Sequence, residues 1–144
     1  MTEADADVKE VVRDAARFHG HLGPFLVVGV RMGLAAVRVL GLYGLEGKIA
    51  VRLLPPFSCV IDGVQVATHC TVGNRKLIVQ NSNDAIMGEF VVVDSPSGVR
   101  VCVRSDWVKR LMDEISRHVP LEELAWRVAA SGEEELFRIE PFHR

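Results

Sequence analysis

Two histidines one residue apart, His19-Gly20-His21, stand just ahead of Gly23-Pro24 and a long apolar run. Imidazoles are ligands for zinc and related divalent metals, and the glycine between them leaves their directions free. Two in so short a loop weigh metal binding evenly against plain packing. In the packing case one ring caps backbone groups and the other lies on Phe25.

A second group of reactive types falls in CVIDGVQVATHCTVGNRKL, from Cys59 to Leu77. Cys59 sits at the expected first turn of a helix, where unpaired N–H groups and the helix dipole favour a thiolate, at once a nucleophile and a zinc ligand. A small buried hydrophobe is the equal alternative for this residue. Asp62, three positions on, shares its helical face and could be a further ligand, a partner orienting an imidazole, or a general base. A carboxylate held there only by the helix dipole carries the same weight. Cys70 is 11 residues from Cys59, about 16 Å along a continuous helix, too far to share one ion without a break or a second subunit. The preferred metal set is therefore His19, His21 and Cys59. Redox-active Cys59 and Cys70 with no metal are the competing chemistry. Cys70, Thr71 and Gly73, with Arg75 and Lys76 behind them, form a loop able to hold an anion by backbone N–H and charge, though not a P-loop.

The elements that must position these residues can be read from spacing. Val8 to Phe18 fits an amphipathic helix broken by Gly20 and Gly23, after a polar tail over residues 1–7. Pro24 suits the first turn of a second helix running to about Leu40, before Gly41. Gly29 and Gly33 lie four apart on that helix, a spacing that admits another helix of the same chain, the favoured reading, or of a twin subunit. Lys48–Leu54 reads as a strand ended by Pro55-Pro56. Ser58 reads as the N-cap of a helix over Cys59–His69. Leu77–Val79 and Phe90–Val93 read as strands, the second joined by Ser95-Pro96-Ser97-Gly98 to Val99–Val103 in a hairpin. Ser105 caps a helix, Pro120 ends it and opens another through Ala130, and a strand over Leu136–Glu140 follows. This mixed order predicts an α+β fold with a mixed or antiparallel sheet packed against helices, in a single domain over 1–144.

Bulk composition narrows the function classes. The chain has 144 residues, 49% apolar and 25% charged, enough to bury a core. A net charge of −2 with scattered Lys and Arg gives no footprint for nucleic acid. Arg31 and Arg38 interrupt the apolar run of Leu22 to Leu42 before it could span a membrane. No basic segment leads into an apolar one at the start, and three cysteines are an odd number for staples. A reduced, cytoplasmic protein is expected.

The stretch FHGHLGPFLVVGVRMG, followed by the Cys59 block, resembles the FmdE-like family, named for its association with formylmethanofuran dehydrogenase. The resemblance rests on His19 to Pro24, Gly29 and Arg31, Cys59, Asp62 and Gln65, and Cys70, Thr71 and Gly73, within residues 15–80. Gly23 stands where many relatives have cysteine, and His69 where glycine is common. The resemblance implies an α+β fold, a zinc-like ion near His21 and Cys59, and a homodimer. It does not imply the dehydrogenase reaction, since the family name reflects gene association. Many relatives carry a C-terminal zinc ribbon of paired Cys-x-x-Cys motifs; these 144 residues hold none, so a single-domain member is expected.

The leading expectation is a metal-binding protein with one divalent transition metal, zinc first, accessory to formylmethanofuran or one-carbon metabolism. Asp62 orients a ligand, Gln65 and Arg31 line the pocket, and Cys70 and Thr71 lie at its edge. A metal-dependent small-molecule enzyme and a metal-free thiol or ligand sensor that reports to a protein partner are the alternatives.

Overall fold

The computed structural model describes residues 3–144. Helix α1 spans Glu3–His19 and takes in most of the segment read as a polar tail, of which Met1 and Thr2 lie outside the described residues. Val12 and Ala15 of α1 are fully buried. The helix ends where Gly20, at φ +88°, returns its N–H to the carbonyl of Ala16, a left-handed turn that glycine makes without strain.

Helix α2, Pro24–Leu40, is the centre of the molecule, with Pro24 in its first turn as its spacing predicts. Residues Pro24 to Val30 are buried without interruption, because α2 has neighbours on every side: α1, α5 (Leu121–Ala130) and, most extensively, α3 (Cys59–Thr68) among the helices, and the sheet beneath. Backbone meets backbone where α2 crosses α3. A Cβ on Gly29 would stand 2.0 Å from the carbonyl oxygen of Val60, and one on Gly63 would stand 2.1 Å from that of Leu26. Gly29 and Gly33 are thus occupied by α3 of the same chain, and the crossing sets Cys59 beside the start of α2.

The sheet has five strands in the order β2-β1-β3-β4-β5: β1 Leu45–Val51, β2 Leu77–Asn81, β3 Met87–Val92, β4 Ser97–Val103 and β5 Phe137–His143. Strand β2 is parallel to β1 and every other pair is antiparallel, so the fold is α+β with a mixed sheet, as expected. The β3–β4 hairpin forms, pairing Val91 with Gly98. Val99, Val101 and Val103 face the core together, while Arg100 on the opposite face pairs with Glu89 and Glu140.

Boundaries moved for local reasons. Strand β1 begins three residues early, after a turn at Gly44 with φ +75°, and Leu53 and Leu54 are left half-exposed beyond it. Helix α4 (Ser105–Ser116) starts at Ser105 with Arg104 in the cap position and no side-chain cap bond. Helix α5, Leu121–Ala130, follows Pro120 as read. A single turn, α6 Glu133–Leu136, occupies the first residue assigned to the last strand. Among the described residues no helix is long and apolar enough to cross a membrane.

Candidate functional site

His19 closes α1, His21 lies in the connection to α2, and Cys59 opens α3; all three line one cavity of about 130 Å³. Its remaining walls are apolar, among them Pro24, Phe25, Pro56, Ile115 and Leu121. The convergence expected of two helix starts is present, and the Gly29–Gly63 crossing is what produces it.

A continuous chain of hydrogen bonds holds the first imidazole. Asp62 Oδ2 lies 2.6 Å from His19 Nδ1, and Asp62 Oδ1 accepts from Gln65 Nε2 at 3.1 Å. Gln65 Oε1 in turn accepts the N–H of Val72 at 3.0 Å. Because the carboxylate only accepts, His19 carries its proton on Nδ1 and presents Nε2. This is the arrangement in which a metal-ligating histidine is held by an outer carboxylate. Of the roles open to Asp62, the geometry selects orientation of an imidazole. Gln65 is brought to this chain as well, as the link between Asp62 and the Cys70–Lys76 loop.

Cys59 departs from expectation. Burial first, then the Asp62 carboxylate, push its thiol up from the ordinary cysteine range, a backbone hydrogen bond working the other way. The helix-dipole argument loses here because the amides at the start of α3 are already satisfied. The N–H groups of Cys59, Val60 and Ile61 donate to the carbonyls of Pro56, Phe57 and Ser58. Ser58 itself is helical, φ −64° and ψ −14°, with no side-chain cap bond, so it is not the expected cap.

Three other residues fall outside the cavity. One guanidinium nitrogen of Arg31 lies 2.9, 2.9 and 2.7 Å from the carbonyl oxygens of Val128, Ala129 and Ser131, which caps the end of α5 instead of lining the site. Cys70 is buried and donates to the carbonyl of Leu45. Thr71 is spent within its own loop: its N–H goes to Asn74 Oδ1 and its hydroxyl accepts from Asn74 N–H. The N–H groups of Val72 and Lys76 are also taken, by Gln65 and by Asn74 and Thr71. That loop is therefore closed as an anion cradle. Asn74, which ties it together and reaches back to the His69 carbonyl, is a positioning residue that spacing alone does not single out.

Among the described residues, no three His, Cys, Asp or Glu side chains already stand grouped as a metal site. The donor chemistry, two imidazoles and a thiol, suits a borderline-soft divalent ion. The His19 half of the site is oriented; His21 is carried between Gly20 and Gly23, and a Cβ on Gly23 would come 3.2 Å from His21 Cε1. A cysteine at this position would thus lie against the His21 ring.

The model of the FmdE family, described as "FmdE, Molybdenum formylmethanofuran dehydrogenase operon", matches residues 18–138. The chain belongs to the FmdE family. A solved structure, a tungsten formylmethanofuran dehydrogenase FmdE-like protein from Syntrophus aciditrophicus, has a TM-score of 0.71 to this FmdE protein. The match covers 95% of this chain and 72% of that one at 22% identity, a likeness of fold. A "Probable S-adenosyl-L-methionine-binding protein" of Archaeoglobus fulgidus is 36% identical over 100 residues, 67% of this chain. This FmdE protein spans only 27% of the length of that curated relative.

Proposed function

We propose that this FmdE protein binds a divalent transition metal, zinc first, through His19, His21 and Cys59, in an accessory role to one-carbon metabolism of the kind the family's name points to. The observation that carries the reading is the His19–Asp62–Gln65–Val72 chain. The relay is half-buried at His19 and Asp62 and fixes the tautomer of an imidazole beside a cavity, an ordering that packing alone does not require. His21 and Cys59, on the same cavity wall, supply the remaining donors once the His21 ring turns toward them.

Bound there, the ion would supply Lewis acidity to a small ligand held in the cavity. The chain's own residues do the rest. Asp62 holds the His19 proton at Nδ1, and Phe25, Pro56 and Leu121 give the cavity an apolar wall.

The thiol reading is not favoured, because burial beside a carboxylate raises the Cys59 thiol and suppresses a free nucleophile, whereas the charge of a bound divalent ion would itself deprotonate a coordinating thiol. The name of the A. fulgidus relative suggests S-adenosyl-L-methionine as ligand. A cavity of about 130 Å³ falls short of the roughly 300–1,000 Å³ typical for ligands of such size, so that reading is not favoured for this site either.

Cobalt titration of metal-free protein tests the proposal. A sulfur-to-cobalt charge-transfer absorption should grow in, vanish in Cys59→Ser and survive in Cys102→Ser. Its persistence in Cys59→Ser, or its absence from the wild-type protein, contradicts the assignment.

A further inference from the structure

A second cavity, of about 240 Å³, lies beyond the end of β1, between the β2–β3 connection and α4. Its floor is apolar: Ile86 is buried, and Phe57 and Val108 are half-buried beside it. Phe57 packs edge-on against Phe25 at 5.2 Å between ring centroids, so a pair of aromatic rings stands between this cavity and the His19–Cys59 cavity.

The rim is charged. Arg52 comes from the end of β1 and Lys109 from the second turn of α4, and both are exposed. Neither forms an ion pair among the described residues, in contrast to Arg38, Arg100, Arg127 and Arg144. The Arg52 guanidinium lies over the Phe57 ring, 5.7 Å from its centroid, which holds a cation at the edge of the apolar floor. Asp84 is the one carboxylate in the lining. Two cations against one carboxylate leave a net positive mouth over a greasy floor, the complement of a small amphipathic anion.

We propose that this cavity binds a small aryl or alkyl monocarboxylate, its apolar body on Phe57, Ile86 and Val108 and its carboxylate at Arg52 and Lys109. A volume of about 240 Å³ suits a ligand smaller than a nucleotide. Asp84 on the rim opposes a second negative charge, which selects a monocarboxylate over a dicarboxylate or a phosphate ester. The site stands independently of any metal at His19, His21 and Cys59.

Phenylacetate and its neutral counterpart phenylacetamide, titrated into the isotopically labelled protein by two-dimensional amide NMR, test the assignment. Phenylacetate should shift signals in residues 82–86 and 105–109 and bind more tightly than the amide. Arg52→Gln and Lys109→Gln should each weaken phenylacetate by about threefold to fivefold, the scale of an exposed ion pair, and leave the amide unchanged. Val108→Trp, which fills the floor, should remove both, with the spectrum of the remaining residues reporting an intact fold. Equal affinity for acid and amide, indifference to both charge variants, or no shifts up to about 10 mM ligand overturns the proposal.

Discussion

Nδ1 of His19 and Oδ2 of Asp62 stand 2.6 Å apart, joining the last residue of α1 to the first turn of α3 across 43 positions of sequence. Replacing Asp62 by Asn removes the charge that keeps the proton on Nδ1 while retaining shape and the contact with Gln65. Asp62→Asn should lower zinc affinity by about 10–100-fold, the usual effect of losing an outer carboxylate, with thermal stability little changed. Competition against a zinc-binding dye measures it, and an unaltered affinity would remove Asp62 from the account.

Gly23→Cys should strengthen the site. Gly23 is extended, φ −145° and ψ 168°, so an L-residue fits without backbone strain, and its Cβ would meet the movable His21 ring. A thiol supplied there adds a fourth donor of the kind zinc prefers. The same dye competition should show tighter binding by an order of magnitude or more, about 1.4 kcal/mol per tenfold. Binding no tighter than wild type would mean that a side chain at position 23 does not reach the metal.

His69→Gly should stabilise the fold. His69 caps α3 in the left-handed conformation, φ 65° and ψ 9°, with its N–H on the Gln65 carbonyl. Glycine takes that conformation freely, whereas a side chain costs roughly 1–2 kcal/mol, partly offset by the greater unfolded freedom of glycine. A net gain of about 1 kcal/mol in urea denaturation is expected. A loss would show that the His69 ring contributes packing beyond its cap geometry.

Stability should fall at alkaline pH, in part through Cys70. Burial pushes the Cys70 thiol up, the hydrogen bond from Thr68 working the other way. As pH rises the unfolded chain loses this proton first, so the native state binds more protons and the unfolding free energy drops with pH. The contribution is complete below the unfolded pKa of about 8.5 and lost as pH passes the higher native value. Urea midpoints from about pH 8 to 10 should therefore fall less steeply for Cys70→Ala than for wild type. Parallel slopes would sink the attribution.

What is legible in the sequence is whatever local chemistry decides. Pro24 and Gly41 bracket α2, and the alternation of Val99, Val101 and Val103 marks a half-buried strand. Short spacing puts His19 and His21 together in the sequence, but the approach of Cys59 depends on Gly63 of α3 meeting the backbone of α2, which spacing alone does not reveal. Misreadings arise where tertiary contacts override a local tendency. A helix start favours a thiolate at Cys59, but burial and Asp62, with the amides already spent on Pro56, Phe57 and Ser58, reverse that. A glycine-bearing loop with nearby cations suggests an anion cradle, but Asn74 and Gln65 consume its donors. Arg31 reads as a pocket residue because nothing in its neighbourhood of sequence reveals the end of α5 some hundred positions away.

Metal content measured by elemental mass spectrometry on untagged protein, dialysed without chelator, reaches the central claim most directly. Wild type, His21→Ala and Cys59→Ser are compared. About one zinc-like ion per chain in wild type and a small fraction of that in both variants is the predicted result. No metal in any of the three, or the same metal in all, contradicts the account.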